Sequence, residues 1–163
     1  MASVSKSNNT HITEKIDTSE VRLQERIDKG SFGTVHKAIW RNRKVAVKLI
    51  DKDRENYFDI EEAQLSKLNH KNIVRLLATG RDKENLWLVM ELAEDVVHNL
   101  QVSYSVSQAL QWLHQCARGV VYLHDMKPVP VLHRDLKSPN LLLFNGRTIL
   151  KICGLVHGST SRI

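Results

Sequence analysis

A group of polar residues stands between two apolar stretches in the segment VLHRDLKSPNLLL at 131–143. In this group Asp135 can accept a proton from a hydroxyl nucleophile, and Lys137 can neutralise a transferred phosphoryl group. The amide oxygen of Asn140 suits a hard cation. Phosphoryl transfer needs such a set, because its catalysis consists mostly of positioning and charge neutralisation. The alternative is a solvated charged loop. It is much the weaker interpretation, because residues 133–140 match the pattern H-R-D-L-K-x-x-N at every specified position.

A second pair of charged residues falls where apolar residues are expected. Lys48 lies inside the apolar run at 45–50, and a buried ammonium group is unfavourable unless it is paired. Glu61 falls at helical spacing between Phe58 and Leu68, on the apolar face of the helix that follows. The sequence therefore predicts an inward ion pair. Two alternatives stay open, a strand-edge lysine that points to water and a solvated carboxylate at the edge of the helix face.

Two glycines, Gly30 and Gly33, enclose Ser31 and Phe32 between two predicted strands. Glycines in such a turn let backbone N–H groups approach phosphate oxygens closely. An ordinary hairpin turn is the alternative, and by itself the pattern is weak evidence for a phosphate site.

The elements that must position these residues follow from the period of the apolar residues. Strands are predicted over 21–27, 34–40, 45–50, 73–77 and 86–90, with one helix over 51–69. The turn between the last two strands is placed at 80–83. Short connections favour an antiparallel sheet.

The second half contains one long predicted helix over 107–125, which ends before Pro128 and Pro130. Its apolar stripe is composed of Leu110, Leu113, Ala117, Val120, Val121 and His124. A polar loop over 132–140 follows, and then a hairpin that joins strands at 141–144 and 149–153 through Asn145-Gly146.

Composition excludes several classes of protein. The 163 residues carry a net charge of +6, and 42% are hydrophobic, which is ordinary for a globular protein. The basic residues are scattered rather than clustered, so nucleic-acid binding is disfavoured. We expect no membrane span and, without a secretory signal, a cytoplasmic location. Two cysteines, Cys116 and Cys153, make neither a disulfide framework nor a zinc site.

Taken together, these motifs resemble the eukaryotic protein kinase domain, serine/threonine type, over residues 20–153. The segment GSFGTV resembles the end of a glycine-rich loop, VAVK the lysine strand, and MELA the gatekeeper and hinge. Longer segments (KAIWRNRKVAVK, QLSKLNHKNIVRL and HRDLKSPNLLL) resemble the transforming-growth-factor-β-activated kinase branch of the MAP kinase kinase kinases.

The resemblance implies a role for each matching position, with ATP and Mg²⁺ as cofactors. It implies that Asp135 is the catalytic base, that Lys137 neutralises the γ-phosphate, and that Asn140 takes a magnesium ion. It implies that Lys48 holds the α- and β-phosphates and that Glu61 holds Lys48. The remaining implied ATP-binding residues cover the phosphates, sandwich the adenine or form the hinge: Gly30, Ser31, Phe32, Gly33, Val35, Ala46, Leu142, Met90, Glu91 and Ala93.

The implied fold is α+β, with a small lobe of five antiparallel strands plus one helix and a partial helical large lobe. We divide the chain into a disordered leader at 1–18, the small lobe at 19–92, the partial large lobe with the catalytic loop at 93–153, and a divergent tail at 154–163. The resemblance implies γ-phosphate transfer to Ser or Thr in stress or immune signalling, with MAP kinase kinases as substrates and adaptor proteins as partners.

The sequence departs from the family pattern at three places. Asp28 stands where the glycine-rich loop normally begins with glycine, and Gly154 stands where the metal-binding aspartate of Asp-Phe-Gly is expected. The resemblance ends after Cys153, so that an activation segment is not recognised. We therefore expect impaired phosphotransfer, with a non-catalytic interaction module derived from a kinase as the alternative function.

Overall fold

The computed structural model describes residues 13–30 and 33–154, and its first layer is a six-stranded sheet. The strands, in chain order, are β1 (Glu14–Ile16), β2 (Val21–Gly30), β3 (Gly33–Trp40), β4 (Arg43–Asp51), β5 (Leu76–Arg81) and β6 (Asn85–Glu91). Their spatial order is β1-β5-β6-β4-β3-β2, in which only the β1–β5 pair is parallel. Helix α1 (Glu55–Leu65) packs against one face.

The second part of the chain contains a three-stranded sheet and one long helix. The strands are β7 (Asp95–Val96), β8 (Leu141–Phe144) and β9 (Ile149–Ile152), and helix α2 (Val106–His124) packs on β9. Ser105 caps α2, because its hydroxyl accepts a hydrogen bond from the Gln108 N–H at 3.1 Å. The predicted α+β class is confirmed. In the described part of the chain, neither helix has the length and apolar content that crossing a membrane requires.

Apolar clusters cover both faces of the central sheet, and the side chains of β4 alternate between the two clusters. Val45 and Val47 belong to a cluster with Trp40 and Trp87, whereas Ile50 packs in the cluster that includes α1. Alternation along the strand therefore directs Lys48 toward α1. The β3–β4 hairpin turns at Arg41 and Asn42, both at positive φ, as a tight two-residue hairpin requires.

The predicted disordered leader is wrong for its last residues. Glu14–Ile16 forms the edge strand β1, paired in parallel with residues 78–80 of β5. Ile16 packs on the apolar cluster around Trp40, and the chain passes so close to Gly80 that a Cβ there would lie 2.9 Å from Thr18 Cγ2. A three-residue strand has too short a pattern to detect in sequence. Residues 1–12 lie outside the described residues.

The fourth predicted strand, at 73–77, begins too early. Ile73 and Val74 are buried, but they pair with β9 instead of the central sheet, and the Val74 N–H donates to the Ile152 carbonyl at 2.9 Å. The strand itself starts at Leu76 and continues through Arg81, so the turn at 80–83 is also displaced. A buried apolar run in the sequence does not indicate which of the two sheets its residues pair with.

Helix α2 buries mainly a different face from the predicted stripe, of which Val120 packs against the core. The buried residues are Trp112, Cys116, Gly119 and Leu123, whereas Leu110 and Leu113 are 61% and 64% exposed. Gly119 allows a close approach, because a Cβ there would lie 2.9 Å from Ile152 Cδ1. Trp112 Nε1 also donates to the Arg147 carbonyl at 2.8 Å. Both faces of the helix are apolar, and these contacts select the buried one.

The exposed face of α2 leads to a testable prediction about the chain. Combined Leu110→Gln and Leu113→Gln substitutions should reduce binding of a hydrophobic dye, since these side chains form exposed apolar surface. The free energy of unfolding should change by less than about 1 kcal/mol, because surface substitutions usually cost about 0.5 kcal/mol or less each. As the control, Leu123→Gln on the buried face should lower the melting temperature. Unchanged dye binding in the double variant would contradict the prediction.

Candidate functional site

A cleft of about 650 Å³ lies between the central sheet and the β8–β9 hairpin. Residues of β2, β3 and β4 form one wall, the segment 90–96 forms the back, and Pro139, Asn140, Leu142 and residues 152–154 form the opposite wall. The volume falls within the range of about 300–1,000 Å³ that is typical of small-molecule sites. The cleft therefore brings both halves of the chain to one site.

The predicted inward ion pair is present in this cleft. Lys48 Nζ donates to both carboxylate oxygens of Glu61, at 2.7 and 2.9 Å, and the two side chains are only 15% and 6% exposed. Lys48 Nζ also donates to the Tyr57 hydroxyl oxygen at 3.2 Å. Burial and the neighbouring Glu61 carboxylate raise the pKa of Tyr57, so its hydroxyl stays protonated. Both solvated alternatives for Lys48 and Glu61 are excluded by this burial.

The polar loop holds Asp135, Lys137 and Asn140 together. Asp135 Oδ2 accepts from Lys137 Nζ at 2.9 Å and from Asn140 Nδ2 at 3.1 Å, and Nδ2 also donates to the Asp135 carbonyl at 2.7 Å. The Lys137 ammonium group holds the pKa of Asp135 below its ordinary value, so the carboxylate is charged at neutral pH. Asn140 lines the cleft, whereas Asp135 and Lys137 are outside its lining, with Asp135 joined to Asn140 by these hydrogen bonds.

His133 anchors this loop, a role that the sequence analysis did not assign. Its ring is buried, Nε2 lies 2.8 Å from the Cys153 carbonyl oxygen, and the Asp135 N–H donates to Nδ1 at 3.3 Å. The hydrogen bond to Cys153 ties the loop to the end of the β8–β9 hairpin. The sequence signal was present, since His133 directly follows an apolar stretch and precedes the charged residues.

The positions assigned to adenine and hinge contacts all line the cleft. They are Val35, Ala46, Leu142, Met90, Glu91 and Ala93, and the glycines Gly30 and Gly33 line it as well. Ser31 and Phe32 lie outside the described residues. The Glu91 carboxylate is occupied elsewhere, because it accepts from Lys151 Nζ at 2.6 Å and from the Arg75 N–H at 2.8 Å.

Asp28 and Cys153 also line the cleft, near the Lys48–Glu61 pair. Burial raises the pKa of the Cys153 thiol to about 12, with a further increase from the Asp28 carboxylate that Lys48 partly opposes. The thiol is therefore protonated at neutral pH. Asp28 lines the cleft and is itself exposed to solvent.

The residues beside Asn140 do not fit a magnesium ion. Gly154 contributes no carboxylate, and a Cβ at this position would lie 2.9 Å from both Cγ and Oδ1 of Asn140. The Asn140 side chain is folded onto Asp135, and Gly154 adopts φ +75°. Among the described residues, no group of three or more His, Cys, Asp or Glu side chains is arranged to hold a metal ion. Magnesium prefers an octahedral set of oxygen ligands that includes carboxylates, and this set is incomplete here.

This cleft, with a buried lysine–glutamate pair on one side and an H-R-D loop on the other, is that of a protein kinase. The family described as "Protein kinase domain" matches residues 21–159, and the chain belongs to this family. Within the family it falls in the branch of mitogen-activated protein kinase kinase kinase 7, the transforming-growth-factor-β-activated kinase.

Three relatives illustrate how far this similarity extends. Mitogen-activated protein kinase kinase kinase 7 of Homo sapiens is 45% identical over 148 residues, which are 86% of this chain and 24% of the relative. The protein of the same name in Drosophila melanogaster is 42% identical over 146 residues, or 85% and 21% of the two chains. Mitogen-activated protein kinase kinase kinase 10 of Mus musculus is 38% identical over 160 residues, or 86% and 17%. The chain thus spans about a quarter or less of the length of these relatives.

Proposed function

We propose that this chain is a serine/threonine kinase domain of the MAP kinase kinase kinase type whose transfer of the ATP γ-phosphate is strongly impaired. The observation that carries the proposal is Gly154, which packs against Asn140 where the family pattern has a metal-binding aspartate. The rest of the cleft, with the Lys48–Glu61 pair and its apolar walls, supports retained nucleotide binding.

Four of the described residues have specific roles in this proposal, three toward the adenine ring and one toward the hydroxyl that is phosphorylated. Val35, Ala46 and Leu142 enclose the adenine ring, because they present apolar surface to the cleft. The Asp135 carboxylate, charged and half exposed, is the group placed to accept a hydroxyl proton. Because the donors do not fit a magnesium ion, no catalytic step is assigned to one.

A non-catalytic interaction module is the second candidate, and the same Gly154 favours it. If phosphotransfer is lost, the chain retains a folded kinase surface that binds the partners of its relatives. Both versions of the proposal place the chain in cytoplasmic signalling, with MAP kinase kinases and adaptor proteins as the partners implied by the MAP kinase kinase kinase relatives.

A phosphotransfer assay with radiolabelled ATP and a generic basic protein tests this proposal. Turnover should be below about 0.01 per second, at least about 100-fold under the roughly 1 per second of ordinary kinases. A metal ion contributes several kcal/mol of charge stabilisation in such reactions, and each 1.4 kcal/mol is about tenfold in rate.

The control for this assay is Asp135→Asn, which removes the proposed base while keeping nearly the same shape. Residual transfer that survives this change comes from a contaminating kinase. Turnover of about 1 per second or more that disappears in Asp135→Asn would refute the impairment.

A further inference from the structure

Tyr57 is the third side chain of the group that surrounds the Lys48 ammonium. It lies four residues before Glu61 on α1, so the two side chains leave successive turns on the same side of the helix. Its hydroxyl accepts a hydrogen bond from Lys48 Nζ at 3.2 Å, and Lys48 Nζ lies 5.1 Å from the centre of its ring. Tyr57 therefore contacts Lys48 with both its hydroxyl and its ring.

The same hydroxyl is hydrogen-bonded to Glu61. Burial, the charge of the Glu61 carboxylate and this hydrogen bond all raise the pKa of Tyr57, whereas the positive charge of Arg54 opposes the increase. The hydroxyl therefore keeps its proton and can donate it to Glu61 while accepting from Lys48, since a hydroxyl has one donor and two lone pairs. It bridges the two members of the ion pair.

Tyr57 takes part in this group from outside the cleft. Lys48 and Glu61 are lining residues, but Tyr57 is not among them, and its half-buried ring packs on the core cluster that includes Phe58. A ligand in the cleft therefore meets Lys48 rather than Tyr57. The packed ring fixes the hydroxyl, and the hydroxyl restricts the Glu61 carboxylate and the flexible lysine side chain before a ligand binds. Such pre-organisation lowers the entropy cost of binding.

We infer that Tyr57 is a positioning residue for the bound phosphate groups, because its hydroxyl and ring hold Lys48 and Glu61 in the orientation in which Lys48 meets a nucleotide. The inference rests on the proposed function, in that it takes the cleft to bind a nucleotide. Tyr57 is not itself in contact with the ligand, so its effect passes through Lys48 and depends on the presence of phosphates.

Calorimetric titration of the whole chain and of Tyr57→Phe with ATP and with adenosine tests the inference. The substitution removes the hydroxyl and keeps the ring. The dissociation constant for ATP should rise about fivefold, the usual effect of one hydrogen bond. The dissociation constant for adenosine should change by less than about twofold, because adenosine has no phosphate group for Lys48 to hold. A merely structural loss would weaken both ligands alike.

Tyr122→Phe is the matched control. Tyr122 is also half-buried and packs on the same core cluster, and its hydroxyl accepts from the Asn69 N–H at 2.8 Å. It lies on α2 and is not a lining residue of the cleft. This variant loses the same atom and one hydrogen bond, but the ratio of its dissociation constants for ATP and adenosine should stay within about twofold of the wild type.

Urea denaturation without a ligand measures the contact of Tyr57 with the ion pair directly. Tyr57→Phe should raise the unfolding equilibrium constant about fivefold in the wild type. In the double variant Lys48→Met/Glu61→Leu the same change should not raise it, because the hydroxyl has lost both partners. An equal rise in the two backgrounds would overturn the inference.

The binding results separate the inference from the proposal on which it rests. If Tyr57→Phe weakens ATP and adenosine equally, or binds ATP more tightly than the wild type, the inference is wrong and the nucleotide cleft stands. If neither ligand binds to a wild-type chain that melts cooperatively, the proposed nucleotide cleft is wrong, and the inference falls with it.

Discussion

Replacing Lys48 by methionine is expected to lower the free energy of unfolding by about 3 kcal/mol, because it leaves the Glu61 carboxylate buried without a counter-ion. The loss of one partner of a buried ion pair typically costs about 3–5 kcal/mol, and the lower end applies because Lys48 keeps some contact with water. Urea denaturation of the wild type and the variant, followed by circular dichroism, measures the difference.

Two further variants identify the cause of this loss. Lys37→Met removes a lysine from the neighbouring strand β3 whose partner Glu25 is solvated, so the expected change is about 0–1 kcal/mol. The double variant Lys48→Met/Glu61→Leu should recover most of the stability lost in Lys48→Met, since no unpaired charge remains. If Lys48→Met and Lys37→Met cost the same, the buried pair does not act as described.

Phe58→Ala is expected to lower the free energy of unfolding by about 3–5 kcal/mol, the usual cost of a large aromatic side chain lost from a core. Phe58 is fully buried among the residues that join α1 to the central sheet, with the Arg81 guanidinium 5.0 Å from its ring centre. The change would leave a cavity beneath the helix that carries Glu61.

The matched control lies on the same helix. Ile60→Ala removes a large apolar side chain that is mostly exposed, and it should cost about 0.5 kcal/mol or less. Thermal unfolding monitored by calorimetry compares the two variants directly. A melting temperature for Phe58→Ala equal to that of Ile60→Ala would mean that α1 is not held to the sheet by this contact.

Several features of the fold and the site are determined by the sequence itself. The strands of the small lobe follow from alternating apolar residues, and their bounds differ from β2, β3 and β4 by few residues. The Lys48–Glu61 pair was predicted because each charge stands where the local pattern favours an apolar residue, and the burial of both side chains then excluded the two solvated alternatives. The sequence also shows directly that position 154 is a glycine and carries no carboxylate.

Other features were decided only by tertiary structure. Helix α2 is apolar on both faces, so the period of its apolar residues identifies a helix but not the face that packs on β9. The close contact at Gly119 and the hydrogen bond of Trp112 determine which face is buried. Strand β1 depends on a parallel neighbour more than 60 positions away in the chain. The contacts of Asp135 with Lys137 and Asn140 likewise depend on the conformation of the loop, which His133 stabilises through its hydrogen bond with the Asp135 N–H. The physical reason is the same for the helix, the strand and the loop. The local period of apolar residues indicates which side chains can be buried, whereas the segment that buries them depends on contacts between parts of the chain that are distant in sequence.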